Sequence, residues 1–481
     1  MRIIMIGDEE ILIGATDHVS YATIEQEQDT SVANTKGEIH FIIKSSFPLV
    51  VTFLLQYLVS VLSVFAAGRI GSKELAAVSL AITTFNITGL AIYQGMATSL
   101  DALCSQAFGA GMPHKVGLYF QRCSAIMLVI TLVLLVPIWW FSCPIIYTLV
   151  GDKELAMMCQ TYLRILTFGA PGLLFFETGK RFLQAQHIFD ATTYILLAVA
   201  PINFILNWLL VWHPAYGLGF IGAPITLVIV YWLMPLMILG YVCFIDGKKC
   251  WNGFERTALT NWGPMLELAL PGVIMVEAEY LAFEVLTILA AKFGTDSLAA
   301  QSIASSVGAL VFQLPFAFAV TITTRIGHYV GRKDGKSAAK VTKIALACTS
   351  AISMFDFLVV FFFRHIWSRV FTKDKNVTAI SDVILILVAI NQLADGLNVA
   401  GSGLLRGQGR QKMGSVLNMI SYYVISLPLG FFLAFHVNLG LKGLWYGLMS
   451  GVFFLSLSQL AMVLTTNWDS VIIESLRRHD H

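Results

Sequence analysis

Twelve long apolar runs constrain this chain more than any other feature. They cover 42–66, 76–104, 118–148, 156–177, 190–212, 217–245, 264–291, 298–326, 341–371, 378–404, 413–436 and 441–465. A helix needs about 20 apolar residues to cross a bilayer's hydrocarbon core, and each run is long enough. The breaks carry turn and charge signals, among them GRIGSKE (68–74), GAGMPHK (109–115), DGKKCWNGFER (246–256) and GRKDGK (331–336). A transmembrane barrel would instead alternate apolar and polar residues in short segments. Charged residues make up 12% of the chain, about half the ~25% of soluble proteins. That supply cannot cover a water-facing surface. Disorder is excluded by 33 Phe and a formal net charge of only +2. The fold class expected is therefore an all-α polytopic membrane protein of twelve transmembrane helices. The near-neutral charge gives no sign of nucleic-acid binding. The seven cysteines form no CxxC pair and read as small core hydrophobes.

An even number of passes puts both termini on one side. With the N-terminus inside, 21 Lys and Arg fall on the inner side, 9 on the outer, and Arg164 lies within a run. The positive-inside rule then makes the termini cytosolic. Four of the nine outer residues sit in the loop before 378, the one loop that dissents. Residues 1–39 read as a largely disordered cytosolic tail, since Asp8, Glu9 and Glu10 interrupt its brief apolar start. The chain then divides into a six-helix lobe (40–245), a cytosolic linker (246–262), a second six-helix lobe (263–465) and a cytosolic C-terminal tail (466–481). Asn376, in NVT (376–378), is an outward-facing glycan acceptor candidate.

The two lobes are repeats of one unit. GSKELAAVSLA (71–81) matches GTDSLAAQSIA (294–304) at a shift of 223, and SQAFGAG (105–111) matches GHYVGRK (327–333) at 222. FLQAQ (182–186) matches LLRGQ (404–408) at 222, and LGFIG (218–222) matches LGLKG (439–443) at 221. Four matches in one order at a nearly constant shift mark a duplication. Six passes per unit is even, so the lobes are expected to be related by a pseudo-two-fold along the membrane normal.

Ionisable residues inside the bilayer cost about 2.5–3.5 kcal/mol each and need a reason. The seventh run, LALPGVIMVEAEYLAFEVLTILA (268–290), carries Glu277, Glu279 and Glu284. At about 100° per residue, Glu277 and Glu284 share a face, and Glu279 lies roughly 140° from Glu284. All three point inward only if the helix bends, and Pro271 is a plausible kink. Three acids on one pass exceed what pairing requires. They read as part of a water-accessible cavity that binds protons or cations. Asp395 lies within NQLADGLNVAGSG (391–403), a polar face with Asn398. Asp101 reads as a cap or as the partner of a neighbour, and Glu177 as an interfacial ion pair with Lys180 or Arg181. Asp356 has no visible partner. No GxxxxGK[ST], HExxH or GxSxG occurs, so neither a nucleotide-driven pump nor a familiar hydrolase is indicated. The chain reads as a non-enzyme without a cofactor or a bound metal.

QGMATSLDALCSQAFGAG (94–111) resembles a signature of eukaryotic multidrug and toxic compound extrusion (MATE) transporters. LLQYLVSVLSVFAAGRIG (54–71), FNITG (85–89), ALPGVIMVEAEYLAFE (269–284), GLLRGQGRQKMG (403–414) and NMISYYVISLPLG (418–430) are similar to the family's motifs in order. The resemblance covers roughly 40–465. It implies a V-shaped cleft between two lobes and antiport of small organic molecules, proton-coupled in eukaryotes. The family's acidic motif in pass seven falls on Glu279 and Glu284, and its acid in pass ten on Asp395. An acid carried by animal members in pass eight would fall on Ser306, and the pass-one Asp of many bacterial members is absent.

The expectation is therefore a monomeric, proton-coupled exporter of xenobiotics or metabolites in the plasma or vacuolar membrane. Glu279, Glu284 and Asp395 are its coupling residues. Glu277, Tyr280, Asn398 and Gln301 are accessory candidates, and its partners are a small-molecule substrate, protons and the lipid bilayer. A sodium-coupled exporter, a lipid flippase of the same superfamily and an intramembrane enzyme stay open as alternatives.

Overall fold

The computed structural model describes residues 33–480, which are helical nearly throughout. Fifteen helices carry the fold among the described residues. In the first half these are α1 (Thr35–Gly68), α2 (Ser72–Gly109), α3 (Pro113–Trp140), α4 (Ser142–Val150), α5 (Lys153–Leu166), α6 (Ala170–Ala185), α7 (Asp190–Trp212) and α8 (Gly219–Phe244). In the second half they are α9 (Gly263–Ala291), α10 (Thr295–Gly331), α11 (Gly335–Phe371), α12 (Lys375–Gln408), α13 (Gln411–His436), α14 (Leu441–Leu464) and α15 (Trp468–Asp480). No strand occurs among the described residues.

Ten of these helices are each long and apolar enough to cross a membrane. The other two passes have separate explanations. The fourth is split into α5 and α6 at Thr167–Gly169, just before Pro171, whose ring cannot accept the interior of a straight helix. The seventh, α9, is an unbroken 29-residue helix whose three mid-pass glutamates lower its apolar content. Together they give twelve passes.

Each lobe buries its own apolar core. One cluster runs from Val59 to Ala269 and includes Tyr93, Trp139 and Tyr162. The second lobe holds two clusters, one around Trp445 and Tyr422 and one around Ile322, Leu404 and Ile472. Leu49, Phe53 and Phe189 meet Ala317 and Val320 between the lobes.

The first helix begins at Thr35, inside the tail expected over 1–39; residues 1–32 of that tail lie outside the described residues. The early start has a local and a distant cause. Asn34 caps the helix by accepting from the Lys36 amide at 3.2 Å. Glu38 is paired with Arg325 of the second lobe through the Nε at 2.8 Å, and the Tyr329 hydroxyl donates to it at 2.7 Å. The C-terminal tail over 466–481 contains α15, whose Val471 and Ile472 are buried in the second lobe.

The lobes are joined at one end of the passes. There α2 lies against α9 with glycine facing glycine, so that a Cβ on Gly95 would stand 2.4 Å from Val273 Cα and 3.0 Å from Gly272 O. Nearby, Gln106 Nε2 donates to Gly407 O at 2.9 Å, and Gln411 Nε2 donates to Thr98 O at 3.3 Å. Over this seam lies α15, which touches both lobes. Ser475 donates to Gln106 at 2.8 Å, and Arg478 donates to Gly409 O and Gln408 O at 3.0 and 3.2 Å. The Tyr119 hydroxyl lies 2.9 Å from His479 Nδ1, and Lys115 donates to the His479 carbonyl.

Candidate functional site

Span ten positions the second-lobe acids. It passes α11 so closely that a Cβ on Gly396 would lie 1.9 Å from Ser353 Oγ. That approach brings Asp356, three residues beyond Ser353, into electrostatic reach of Asp395. Asp395 is buried, with Asn398 one turn away on the same helix and beside it. From α9, Glu279 comes within electrostatic reach of Asp395. The Tyr422 ring of α13, fully buried, closes the group next to Glu279, Asp395 and Asn398. The site is thus Glu279, Asp395, Asp356, Asn398 and Tyr422, drawn from four passes. Asp356 Oδ2, Asn398 Oδ1 and the Tyr422 hydroxyl are buried without a hydrogen-bond partner among the described residues. Unpaired polar atoms at such a place are costly unless a ligand, proton or water engages them.

The four acids read from the sequence do not form one cluster. Glu279 and Glu284 lie five residues apart on one unbroken helix beyond Pro271, so the helical period keeps them roughly 140° apart. Glu284 is partly buried beside apolar neighbours, with Ala282 and Leu286 in the lobe core. Glu277 carries a buried, unpartnered Oε2 and lies near Tyr280 and Tyr423 rather than Asp395. Tyr280 is 37% exposed, within electrostatic reach of Glu279, Glu277 and the first lobe's Glu177. Gln301 is tied into packing: its Oε1 accepts from Trp445 at 2.8 Å and its Nε2 donates to Ser305 at 3.0 Å. Asp356 had no readable partner in the sequence, because its neighbour comes from the next pass through the Gly396–Ser353 contact.

The first lobe holds a second charged group. Glu177 pairs with Lys180 at 2.8 Å, and Lys180 also donates to Gln56 at 3.1 Å. The pairing expected for Glu177 is present, but it is buried within the lobe rather than interfacial: the two side chains are 0% and 3% exposed. Asp101 is more than a cap. One of its oxygens lies 3.3 Å from Arg181 Nε in its own lobe, the other 3.7 Å from Arg406 Nε of the second lobe. The sequence signal was there, since Arg406 sits in the quoted GLLRGQ motif, but its partner is some three hundred residues away. Among the described residues no group of three or more His, Cys, Asp or Glu has metal-binding geometry.

Comparison with known proteins agrees with this architecture. The MatE family profile matches residues 48–209 and again 271–432, the shift of the internal repeat. An uncharacterized transporter of Saccharomyces cerevisiae is 40% identical over 96% of this chain and 68% of its own length. One from Schizosaccharomyces pombe is 39% identical over 97% and 88%. Human multidrug and toxin extrusion protein 1 is 29% identical over 90% and 76%. Among solved structures, the eukaryotic MATE transporter AtDTX14 superposes with a TM-score of 0.86 at 23% identity, covering 92% of this chain and 98% of that one.

Proposed function

Because the chain belongs to the MATE family of transporters, with both of its halves matched, we propose that it exports small organic molecules by antiport against protons, with Glu279 and Asp395 as the proton-carrying pair. The observation that carries this reading is that the partly buried Glu279 lies within electrostatic reach of the buried Asp395, beside polar atoms of Asn398, Asp356 and Tyr422 that are unpaired among the described residues. Two carboxyls within electrostatic reach of each other exchange protons as one coupled unit. Titration belongs to the pair rather than to either residue. Glu284 and Glu277 lie elsewhere on α9 and modulate rather than carry the proton.

The positive-inside count supports a cytosolic position for the joined end, and on this reading the conformation is outward-facing. A proton entering from the acidic outer side loads the pair and releases substrate. The neutral pair then permits return to the inward-facing state. Each pH unit of gradient supplies about 1.4 kcal/mol, and each charge moved across 100 mV about 2.3 kcal/mol. A few kcal/mol per proton supports roughly hundredfold accumulation. The membrane is the plasma or the vacuolar membrane, with both termini cytosolic.

Purified protein in vesicles with an imposed pH gradient, offered a panel of organic solutes, tests this. Uptake that follows the pH gradient in sodium-free medium supports it. Uptake that needs sodium and ignores pH assigns another coupling ion, and product formation without vectorial movement assigns an enzyme.

A further inference from the structure

Arg406 stands where the acid pair of one lobe meets the seam between the lobes. It lies on α12 eleven residues after Asp395, three turns on and therefore on nearly the same face. It is buried, and its Nε reaches Asp101 of the other lobe at 3.7 Å without a directional hydrogen bond. Glu279 lies within electrostatic reach of it. Asp101 is shared, since Arg181 holds its second oxygen at 3.3 Å.

The charges facing this point come from every packed element. They are Asp101 from α2, Arg181 from α6 with Lys180 and Glu177 behind it, Glu279 from α9, Asp356 from α11 and Asp395 from α12, with the Tyr422 hydroxyl from α13. Lys180 and Glu177 neutralise each other. With Glu279 ionised, Arg406 has two anions within reach while Arg181 keeps its share of Asp101. With Glu279 neutral, two guanidiniums share one carboxylate, and a surplus cation is left out of water. A buried, underpaired charge disfavours the conformation that buries it. That conformation is the one with the seam closed.

We infer that Arg406 is a positioning residue that transmits the loss of charge at Glu279 to the Asp101 contact, so that protonation loosens the seam between the lobes. The direction is the one an antiporter needs: the proton-loaded protein opens inward, and the empty, ionised protein stays closed there. Asp101 is not stranded on opening, because Arg181 stays with it in its own lobe. This inference rests on the proton-coupling reading above.

The test places spin labels on cysteines introduced by His114→Cys and Lys336→Cys, exposed positions on the joined side in opposite lobes, in the full-length protein in vesicles. Between about pH 8 and pH 5 the ratio of long to short distances should rise by roughly tenfold, the equivalent of about 1.4 kcal/mol. Glu279→Gln should show the long distance throughout. Arg406→Gln should remove the pH response, Arg406→Lys should retain it, and Asp101→Asn should leave the seam open at both ends of the range. If Arg406→Gln does not fold, the Lys variant and Asp101→Asn decide. A response that survives in Arg406→Gln, or a seam that stays closed in Asp101→Asn, overturns the role of Arg406 alone. A wild type indifferent to pH, with distances that Glu279→Gln does not change, overturns the proton-coupling reading instead.

Discussion

Adding a single methyl group at Gly95 should open the joined end of the molecule. The Cβ of Gly95→Ala would meet Val273 Cα at 2.4 Å, Val273 N at 2.9 Å and Gly272 O at 3.0 Å. All three are backbone atoms, so no side chain can turn aside, and ordinary carbon contacts begin near ~3.5 Å. The two helices must part by about 1 Å. Overpacking of this kind costs about 1–3 kcal/mol. The contact joins different lobes, so the cost falls on the joined conformation and spares each lobe's own core. At about 1.4 kcal/mol per factor of ten, the balance should move roughly 5- to 150-fold toward separation. The assay is the labelling rate of Ser105→Cys, buried at the same seam against Gly327, in a background lacking the seven native cysteines. Labelling by a permeant thiol reagent should accelerate with Gly95→Ala. It should not change with Gly308→Ala, whose nearest neighbour would be Val388 Cγ1 at 3.9 Å. An unchanged rate in Gly95→Ala would refute the reasoning that this glycine pair sets how closely the lobes approach.

Other consequences follow from the charged groups. Glu177→Gln strands the buried Lys180 and should lower stability by about 3–5 kcal/mol, read as a drop in the thermal unfolding midpoint. Adding Lys180→Met should recover most of it. His479 is held neutral on α15, its pKa pushed down to about 4 by burial and by Lys115 and Arg478. The undocked helix takes up the proton near the ordinary value, about 6.5. Docking of α15 is therefore full above that value and weakens as pH falls toward 4, by about 1.4 kcal/mol per unit at most. Proteolytic release of α15 in inside-out membranes should rise over that window, and His479→Gln should flatten the profile. Asn252→Cys should resist an impermeant thiol reagent in intact cells and react once the membrane is permeabilised; reaction in intact cells would invert the orientation.

The passes were legible because a bilayer demands long apolar runs and because the chain repeats itself. Their ends were less so. The run read as 76–104 is a helix over Ser72–Gly109, and that read as 298–326 extends over Thr295–Gly331, since polar residues continue a helix beyond the hydrocarbon. The break at Thr167–Gly169 left no gap in the apolar run. Glu279 and Asp395 could be singled out as acids in apolar surroundings. Their company could not: Asp356 joins them only because Gly396 lets two helices touch, and Glu284 stays apart because five residues of regular helix turn it away from Glu279. The same holds for Glu38 with Arg325 and for Asp101 with Arg406, whose pairing depends on how two lobes meet rather than on any local pattern.

The proposal that Glu279 and Asp395 carry the proton is tested most directly by separating gradient-driven transport from exchange. In vesicles, Glu279→Gln and Asp395→Asn keep shape and most hydrogen bonding but cannot take up and release a proton. Each should abolish uptake driven by a pH gradient, while exchange of labelled for unlabelled substrate at equal pH persists in at least one of them. Glu277→Gln should keep most gradient-driven uptake. Full gradient-driven uptake with an unaltered pH response in both Glu279→Gln and Asp395→Asn would contradict the account and move the coupling site away from these two passes.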